Sequence, residues 1–145
     1  MKKNVRLASL LCATVMAASS LSLSASASAS ITTTNGSHKF NGGEWEYTRN
    51  VKNYQGTQIG TICYGFDKVA IYEDYCWAKG ESDCRAGVKR STDSGYNYGS
   101  YKSNWKWSKE EVTHKSKATS VTYKIEFSAS YGTLYFSSEN GSWNK

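Results

Sequence analysis

The segment from Val121 to Phe127 constrains the fold more than any other part of the sequence. Apolar Val, Tyr, Ile and Phe alternate in it with Thr, Lys and Glu at every position. Side chains of a β-strand point alternately to the two faces of a sheet, so this alternation predicts a half-buried antiparallel strand. Such a strand requires neighbours that can pair with it.

Further short runs of β-type composition supply those neighbours. β-branched and aromatic residues are concentrated in EWEYTRN, TQIGTICYG, KVAIYEDYCWA and TLYFSS, as expected for pleated, half-buried surfaces. The dipeptides GF and DK, before the third run, indicate a tight hairpin connection. Proline is absent and no repeat of solenoid period is present. The sequence therefore predicts an all-β fold class, a small antiparallel β-sandwich or barrel.

Two segments between these runs are interpreted as irregular. A loop is indicated for the segment KGESDCRAGVKRSTDSG, which is long, rich in charged residues and contains several glycines. Loops of this length are often functional. SKEEVTHKSK contains Val112 as its single apolar residue, so we expect a turn or one helical turn there.

The N-terminal segment has the features of a secretory signal peptide. Three cations, Lys2, Lys3 and Arg6, precede the apolar run LASLLCATVMAA, which is too short to cross a bilayer. Small-residue cleavage sites follow at Ala27 and Ala29. We therefore expect a secreted, extracellular protein.

This interpretation divides the chain into three parts. Residues 1–29 are expected to form the signal peptide, residues 30–41 a flexible arm, and residues 42–145 a single β domain. Loss of the signal removes three cations and leaves only a small excess of positive charge, so the overall basicity of the chain carries little information.

The positive charge is concentrated between Arg85 and Lys124. This stretch contains nine Lys or Arg residues and only three acidic residues, Asp93, Glu110 and Glu111. A basic patch of this kind suits an anionic partner. For a secreted protein the nearest anions are envelope phosphates, so we expect no nucleic acid as partner.

Aromatic residues accompany the cations in YKSNWKWSK, residues 101–109. With a period of two, Trp105 and Trp107 share one face, which we expect to be buried, and Lys102 and Lys106 share the other. A solvated surface and an anion-binding surface both stay open for the lysine face.

The stretch GYNYGSY places Tyr96 and Tyr98 on one strand face between two glycines. The sequence has 20 aromatic residues, more than one small core can bury. An exposed tyrosine patch suits sugars or sugar phosphates. An edge strand that covers the end of the core is the alternative interpretation.

Three cysteines, Cys63, Cys76 and Cys84, remain after removal of the signal. Outside the cell the default expectation is a disulfide, and we expect the pair Cys76–Cys84, worth roughly 2.5 kcal/mol by loop-closure entropy. One sequence does not fix the connectivity, and the third thiol could cross-link two chains. A metal site is less favoured because no C-x-x-C and no nearby histidine is present.

The sequence contains few groups that could act in catalysis. No G-x-S-x-G, H-E-x-x-H, P-loop or dinucleotide motif is present. One histidine, His38, lies in the expected arm. A small secreted hydrolase built on Glu81, Asp83 and His114 stays as an alternative. We expect no enzyme activity, no cofactor and no metal.

Three motifs follow one another in the order GGEWEY, VAIYEDYCWAKGESDCRAGVKRS and NWKWSK. This order resembles the lactococcin 972-like bacteriocins. The matching positions are Gly42, Gly43, Trp45, Tyr47, Val69, Tyr72, Tyr75, Val88, Lys106, Trp107 and Ser108. The resemblance implies a small β-sandwich, often dimeric, that acts outside related Gram-positive cells. It implies that such a protein binds the wall precursor lipid II and blocks septum formation.

The basic residues and tyrosines together define a candidate binding site for an anionic cell-envelope glycolipid precursor such as lipid II. Its expected members are Arg85, Lys89, Arg90, Tyr96, Tyr98, Lys102 and Lys106. We expect a secreted antibacterial protein. The alternative is a secreted carbohydrate- or protein-binding module, including a protease inhibitor, without killing activity. A homodimer and an immunity or transport partner stay open.

Overall fold

The computed structural model of the protein describes residues 28–35, 44–68, 72–137 and 140–143. Within these ranges the chain forms ten β-strands and no helix. The strands are β1 (Ala29–Asn35), β2 (Trp45–Lys52), β3 (Gln58–Lys68), β4 (Tyr72–Gly80), β5 (Cys84–Arg90), β6 (Asn97–Tyr98), β7 (Ser108–Thr113), β8 (Val121–Phe127), β9 (Tyr135–Phe136) and β10 (Asn140–Trp143).

The strands form two antiparallel sheets. The small sheet has the order β1-β8-β5-β6, and the large sheet has the order β10-β2-β3-β4-β7, with β9 also paired to β2. The two sheets pack face to face around one hydrophobic core. This architecture confirms the predicted all-β, sandwich-like fold class.

The core lies between the sheets, and β8 is its centre. Val121, Tyr123, Ile125 and Phe127 are fully buried, while the residues between them are partly exposed, which confirms the predicted alternation. The Tyr123 ring stacks on Tyr64 of the large sheet at a centroid distance of 4.9 Å. Contacts of this kind join the two sheets at their inner faces.

The structure contains two strands where the sequence indicated irregular segments. β5 lies inside the segment interpreted as a loop. Its small apolar residues Cys84, Ala86 and Val88 face the core, while the charged residues Arg85 and Lys89 face solvent. β7 replaces the expected turn or helical turn and pairs with β4 from Ser108 to Thr113. In both segments buried and exposed residues alternate as in a strand, but the many charged residues made this pattern hard to recognise in the sequence.

The structure changes part of what the sequence predicted for the N-terminal segment. Residues 29–35, mostly assigned to a flexible arm, form β1 and pair with β8, with Ile31 opposite Ile125. The rest of the expected arm, residues 36–41, lies outside the described residues, as do residues 1–27 of the expected signal peptide and residues 42–43 of the expected β domain. The hairpin between β3 and β4 forms, but the connection predicted at GF and DK is wrong, because residues 65–68 belong to β3 and pair with β4. Residues 69–71, which connect the two strands, lie outside the described residues.

The prediction for YKSNWKWSK is wrong for Trp105. Residues 103–107 are not part of a strand, and the Trp105 side chain is 42% exposed. Trp107 is half-buried, but it packs on Trp77 at a centroid distance of 6.2 Å rather than in the core between the sheets. The period-two interpretation fails because the backbone turns at Asn104 and Trp105, both at positive φ.

The expected Cys76–Cys84 disulfide is absent, and both thiols are free. Cys76 belongs to the large sheet, and its thiol hydrogen-bonds to the carbonyl oxygen of Lys124 at 3.7 Å. Lys124 pairs with Gly87, three positions along β5 from Cys84. Three strand residues span about 10 Å, more than a disulfide can bridge. The two cysteines therefore contribute to the core as small apolar side chains.

We expect nonreducing peptide mapping to recover Cys76 and Cys84 in separate peptides after unfolding and alkylation. Burial raises the pKa of the Cys84 thiol to about 12 and also raises the pKa of Cys76, so both thiols resist oxidation in the folded protein. Trypsin cleaves after Lys79, between the two cysteines. A single crosslinked peptide that separates only on reduction would contradict this expectation.

Candidate functional site

Pairing of β5 with β8 places three cations on the outer face of the small sheet. Arg85 and Lys89 alternate with the inward-facing residues of β5, so they point to solvent. On β8, Lys124 is opposite Gly87, between these two residues. The three side chains therefore leave neighbouring positions of the same sheet face.

Two tyrosines cover the middle of this face. Tyr98 of β6 pairs with Gly87, and Tyr96 stacks on Tyr98 at a centroid distance of 5.7 Å. A Cβ atom at Gly87 would lie 3.0 Å from the Tyr98 ring and 3.2 Å from the Tyr96 ring. Glycine at position 87 thus leaves the space in which both rings lie against the sheet.

Each of the three cations lies over a tyrosine ring. The Arg85 guanidinium is 3.7 Å from the centroid of Tyr98 and 4.8 Å from that of Tyr101. The Lys124 ammonium is 4.5 Å from the Tyr96 centroid and donates a hydrogen bond to Tyr98 Oη at 3.1 Å. Lys89 is more distant, at 5.9 Å from Tyr96. These contacts orient the cations along the surface.

We call this surface the cation–tyrosine face. Its members are Arg85, Lys89, Tyr96, Tyr98, Tyr101 and Lys124.

One carboxylate partly neutralises this surface. Glu126 Oε2 accepts a hydrogen bond from Arg85 Nε at 2.8 Å. Burial lowers the pKa of Arg85, but the hydrogen bond and the charge of Glu126 outweigh burial and raise it. Three cations against this carboxylate leave a positive excess on the cation–tyrosine face. An anion that arrives there meets N–H donors already held in place.

An open cavity of about 370 Å³ adjoins Tyr96. Its other lining residues are Thr92, Asp93, Ser94, Gly95, Asn97 and Lys115. Hydroxyl, amide, carboxylate and ammonium groups therefore surround one aromatic side chain. This combination suits a sugar ring, which presents hydroxyl groups at its edge and C–H groups on its faces.

Arg90 supports the cavity and does not belong to the cation–tyrosine face. Its Nε donates to Asp93 Oδ2 at 2.8 Å, and its Nη1 donates to the carbonyl oxygen of Thr113. Asp93 Oδ2 also accepts from Asn97 Nδ2 at 3.4 Å. Arg90 thus fixes the segment that forms the cavity wall, which is a positioning role.

We expect Asp93→Asn to destabilise the protein by about 1 to 2 kcal/mol at neutral pH. The hydrogen bond from Arg90 lowers the pKa of Asp93 from 3.8 to about 2. The ionised carboxylate therefore stabilises the fold above pH 3.8, and this contribution is lost as the pH falls to about 2. Thermal unfolding of both proteins across this pH range checks the difference, which should vanish at the acid end. A constant difference at all pH values would contradict the assignment.

The two remaining candidate lysines lie apart from the cation–tyrosine face. Lys102 pairs with Cys84, whose side chain points into the core, so Lys102 leaves the sheet on the side opposite to Arg85. Lys106 is exposed in the loop before β7. The structure thus assembles Arg85, Lys89, Tyr96 and Tyr98 and separates Arg90, Lys102 and Lys106 from them.

Carboxylates collect on the outer face of the large sheet. Asp67 is opposite Glu73, and Tyr75 donates a hydrogen bond to Glu46 Oε2 at 2.5 Å. Burial raises the pKa of Asp67, and the charges of Glu73, Glu111 and other nearby carboxylates raise it further. An anionic ligand is repelled from this region. This end of the large sheet therefore differs in charge from the cation–tyrosine face.

The groups of the alternative hydrolase do not converge. His114 Nδ1 lies 3.0 Å from Asp74 Oδ2, and the backbone N–H of His114 donates to the carbonyl oxygen of Tyr72 at the start of β4. Glu81 and Asp83 follow the other end of β4, about 25 Å away along the strand. Within the described ranges, no group of three or more His, Cys, Asp or Glu residues could hold a metal ion.

Sequence reasoning missed two members of the cation–tyrosine face, Lys124 and Tyr101. The alternation in β8 already indicated that Lys124 faces outward. Pairing of β8 with β5 was required to place it beside Arg85 and Lys89, and the sequence gives no direct signal for that pairing.

No family model, curated protein or solved structure matches the chain. No helix in the described part of the chain is long and apolar enough to cross a membrane.

Proposed function

We propose that the protein is a secreted antibacterial protein that binds an anionic glycolipid precursor of the bacterial cell wall, such as lipid II. The binding site is the cation–tyrosine face. The observation that carries this proposal is the convergence of Arg85, Lys89 and Lys124 over tyrosine rings on one sheet face. Secretion is proposed from the sequence of the N-terminal segment.

The chemistry of such a precursor matches the groups of this face. A pyrophosphate presents several oxygens that accept charge-assisted hydrogen bonds from ammonium and guanidinium groups. Lys124 and Lys89 flank Tyr96, so a phosphate bound by them lies close to the polar cavity on which Tyr96 borders. A sugar attached to that phosphate can enter the cavity. Phosphate and sugar are thereby recognised at neighbouring positions.

Occupation of these groups would explain an antibacterial effect. Wall synthesis requires enzymes to reach the pyrophosphate and sugar of the precursor. A protein that covers both parts removes the precursor from the enzymes without any covalent step. The killing activity would therefore depend on binding stoichiometry and not on turnover.

A sugar-binding module without killing activity is the second candidate. The cavity beside Tyr96 favours it, because hydroxyl and amide groups of Thr92, Ser94 and Asn97 line this cavity and can bind a neutral sugar. In that case a neutral oligosaccharide binds as well as the charged precursor. The two candidates therefore differ in their need for phosphate.

Growth inhibition of Gram-positive indicator strains by the purified protein tests the proposal. We expect clear zones on sensitive lawns, and we expect added purified lipid II to abolish them by competition. A neutral wall oligosaccharide at the same concentration should leave the zones unchanged. Absence of killing combined with binding of the neutral oligosaccharide would favour the second candidate and contradict the first.

A further inference from the structure

The loop between β6 and β7 holds an exposed tryptophan in a strained conformation. Asn104 has φ 54° and Trp105 has φ 60°, both in the left-handed region. Asparagine occurs there with moderate frequency, but for a bulky residue such as tryptophan the conformation is unfavourable. A place in the core does not account for this strain, since Trp105 is 42% exposed and lies outside the core cluster. Strain of this kind at an exposed residue points to a function.

Backbone hydrogen bonds hold the loop in place. The Trp105 N–H donates to the carbonyl oxygen of Gly80 at 2.8 Å, at the end of β4. Lys102 and Cys84 exchange two backbone hydrogen bonds of 2.8 and 2.9 Å at the start of β5. The loop is therefore fixed to the large sheet and to the small sheet, and it presents the indole of Trp105 as a fixed projection.

Next to the exposed indole, lysines and a second tryptophan lie on the large sheet. Trp107 lies next to Trp77, and the Lys79 ammonium is 4.5 Å from the Trp107 ring. The Lys109 ammonium is 4.1 Å from the Trp77 ring. Lys102 and Lys106 are exposed on either side of Trp105 in the chain.

We call this surface the tryptophan–lysine rim. Its members are Lys79, Lys102, Trp105, Lys106, Trp107 and Lys109.

We infer that the tryptophan–lysine rim docks on an anionic lipid surface, with the indole of Trp105 at the level of the headgroups. Tryptophan prefers the interface between headgroups and hydrocarbon because its ring is apolar and its N–H is polar. Lysines beside such a ring are attracted to anionic headgroups. Glu81 and Asp83 in the neighbouring turn, and Glu111 two positions from Lys109 on the same face, offset three of these charges, so the four lysines of the rim leave a positive excess of one.

The site of docking adjoins the cation–tyrosine face. Tyr101 precedes Lys102 in the chain, and its ring lies 4.8 Å from the guanidinium of Arg85. Docking of the rim would bring the Tyr101 edge of the cation–tyrosine face close to the headgroups. The inference does not rest on the proposed function, because attraction to an anionic membrane requires no wall precursor.

Sedimentation with lipid vesicles tests this inference. One set of vesicles contains phosphatidylglycerol and phosphatidylcholine, and the other contains phosphatidylcholine alone; neither contains a wall precursor. We expect binding to the anionic vesicles and a blue shift of tryptophan fluorescence. Lys102→Gln with Lys106→Gln should reduce the affinity for them roughly tenfold or more. Lys52→Gln with Lys117→Gln removes the same charge from exposed positions elsewhere and should have little effect.

Trp105→Gly separates docking from folding. Glycine accepts positive φ without strain, so the relief of strain offsets part of the packing lost with the indole, and this variant should retain the fold. Its affinity for anionic vesicles should nevertheless fall roughly tenfold. Tyr54→Ala, at a side chain 68% exposed in the β2–β3 turn, provides the control for loss of an exposed aromatic residue.

Three results would overturn the inference. They are equal affinity of the Trp105→Gly variant and the wild type for anionic vesicles, equal binding to both kinds of vesicle, and binding of soluble polyphosphate without binding of vesicles. The last result would assign the rim to an anionic polymer. Lipid II binding is measured separately in detergent, so failure of vesicle docking and failure of the proposed function give different results.

Discussion

Replacement of Ile125 by aspartate should prevent folding. Ile125 is fully buried at the centre of β8, between β1 and β5. A carboxylate at this position loses its hydration, and the surrounding core residues are apolar. The cost of several kcal/mol for an unpaired buried charge is comparable to the total stability of a small domain. Near-UV circular dichroism and the dispersion of amide NMR signals report the loss of the fold.

Thr122→Asp is the matched control for this substitution. Thr122 lies on the same strand but on the outer face, opposite Lys89. An aspartate there stays hydrated and close to a cation, so the stability should change by less than about 1 kcal/mol. Equal loss of stability in the two variants would show that the two faces of β8 do not differ in burial.

The sequence predicted the fold class because the decisive pattern is local. The alternation from Val121 to Phe127 lies within one strand, and it indicates burial without knowledge of any partner. The pairing of β8 with β1 and β5 depends on residues far away in the chain. β1 therefore escaped detection, since its polar threonines resemble those of a linker until Ile31 is placed opposite Ile125.

β5 shows why charge concealed a central strand. Arg85, Lys89 and Arg90 made the segment resemble a solvated loop. On the inner face the strand requires only Cys84, Ala86 and Val88, which are small because the large rings of Tyr123 and Phe127 already fill the core beside them. Small apolar residues give a weak alternation signal, and only the packed core explains their size.

The tryptophans of the tryptophan–lysine rim illustrate a second limit. Alternation in YKSNWKWSK has the period of a strand, but the backbone adopts positive φ at Asn104 and Trp105. A left-handed asparagine is common enough to be considered from sequence, whereas a left-handed tryptophan is not. Tertiary hydrogen bonds to Gly80 and Cys84 impose this conformation.

The sequence predicted that cations and tyrosines form the candidate site, but it predicted only some of the residues that lie together in the structure. Arg85, Lys89, Tyr96 and Tyr98 come together because β6 pairs with β5 at Gly87. Arg90 shares the charge of this group, but it is held by Asp93 on the cavity wall. Sequence proximity could not distinguish these roles, since Lys89 and Arg90 are adjacent and differ only in the side of the strand to which they point.

Loss of two lysines from the cation–tyrosine face should weaken binding of lipid II at least tenfold. Lys89 and Lys124 flank Tyr96, which borders the sugar-sized cavity, and provide charged N–H donors beside it. A charge-assisted hydrogen bond contributes about 1.5 to 3 kcal/mol, and each 1.4 kcal/mol corresponds to a factor of ten in affinity. The fold should be retained, because both side chains lie on the outer face and glutamine keeps most of their length.

The most direct test of the central proposal is titration calorimetry of lipid II in detergent micelles. It compares the wild type with Lys89→Gln/Lys124→Gln and with Lys52→Gln/Lys117→Gln, which carries the same net charge as the first variant. We expect the affinity to fall at least tenfold in the first variant only, and the wild-type affinity to decrease as salt is added. Equal affinity of the wild type and the Lys89→Gln/Lys124→Gln variant would contradict the assignment of binding to the cation–tyrosine face.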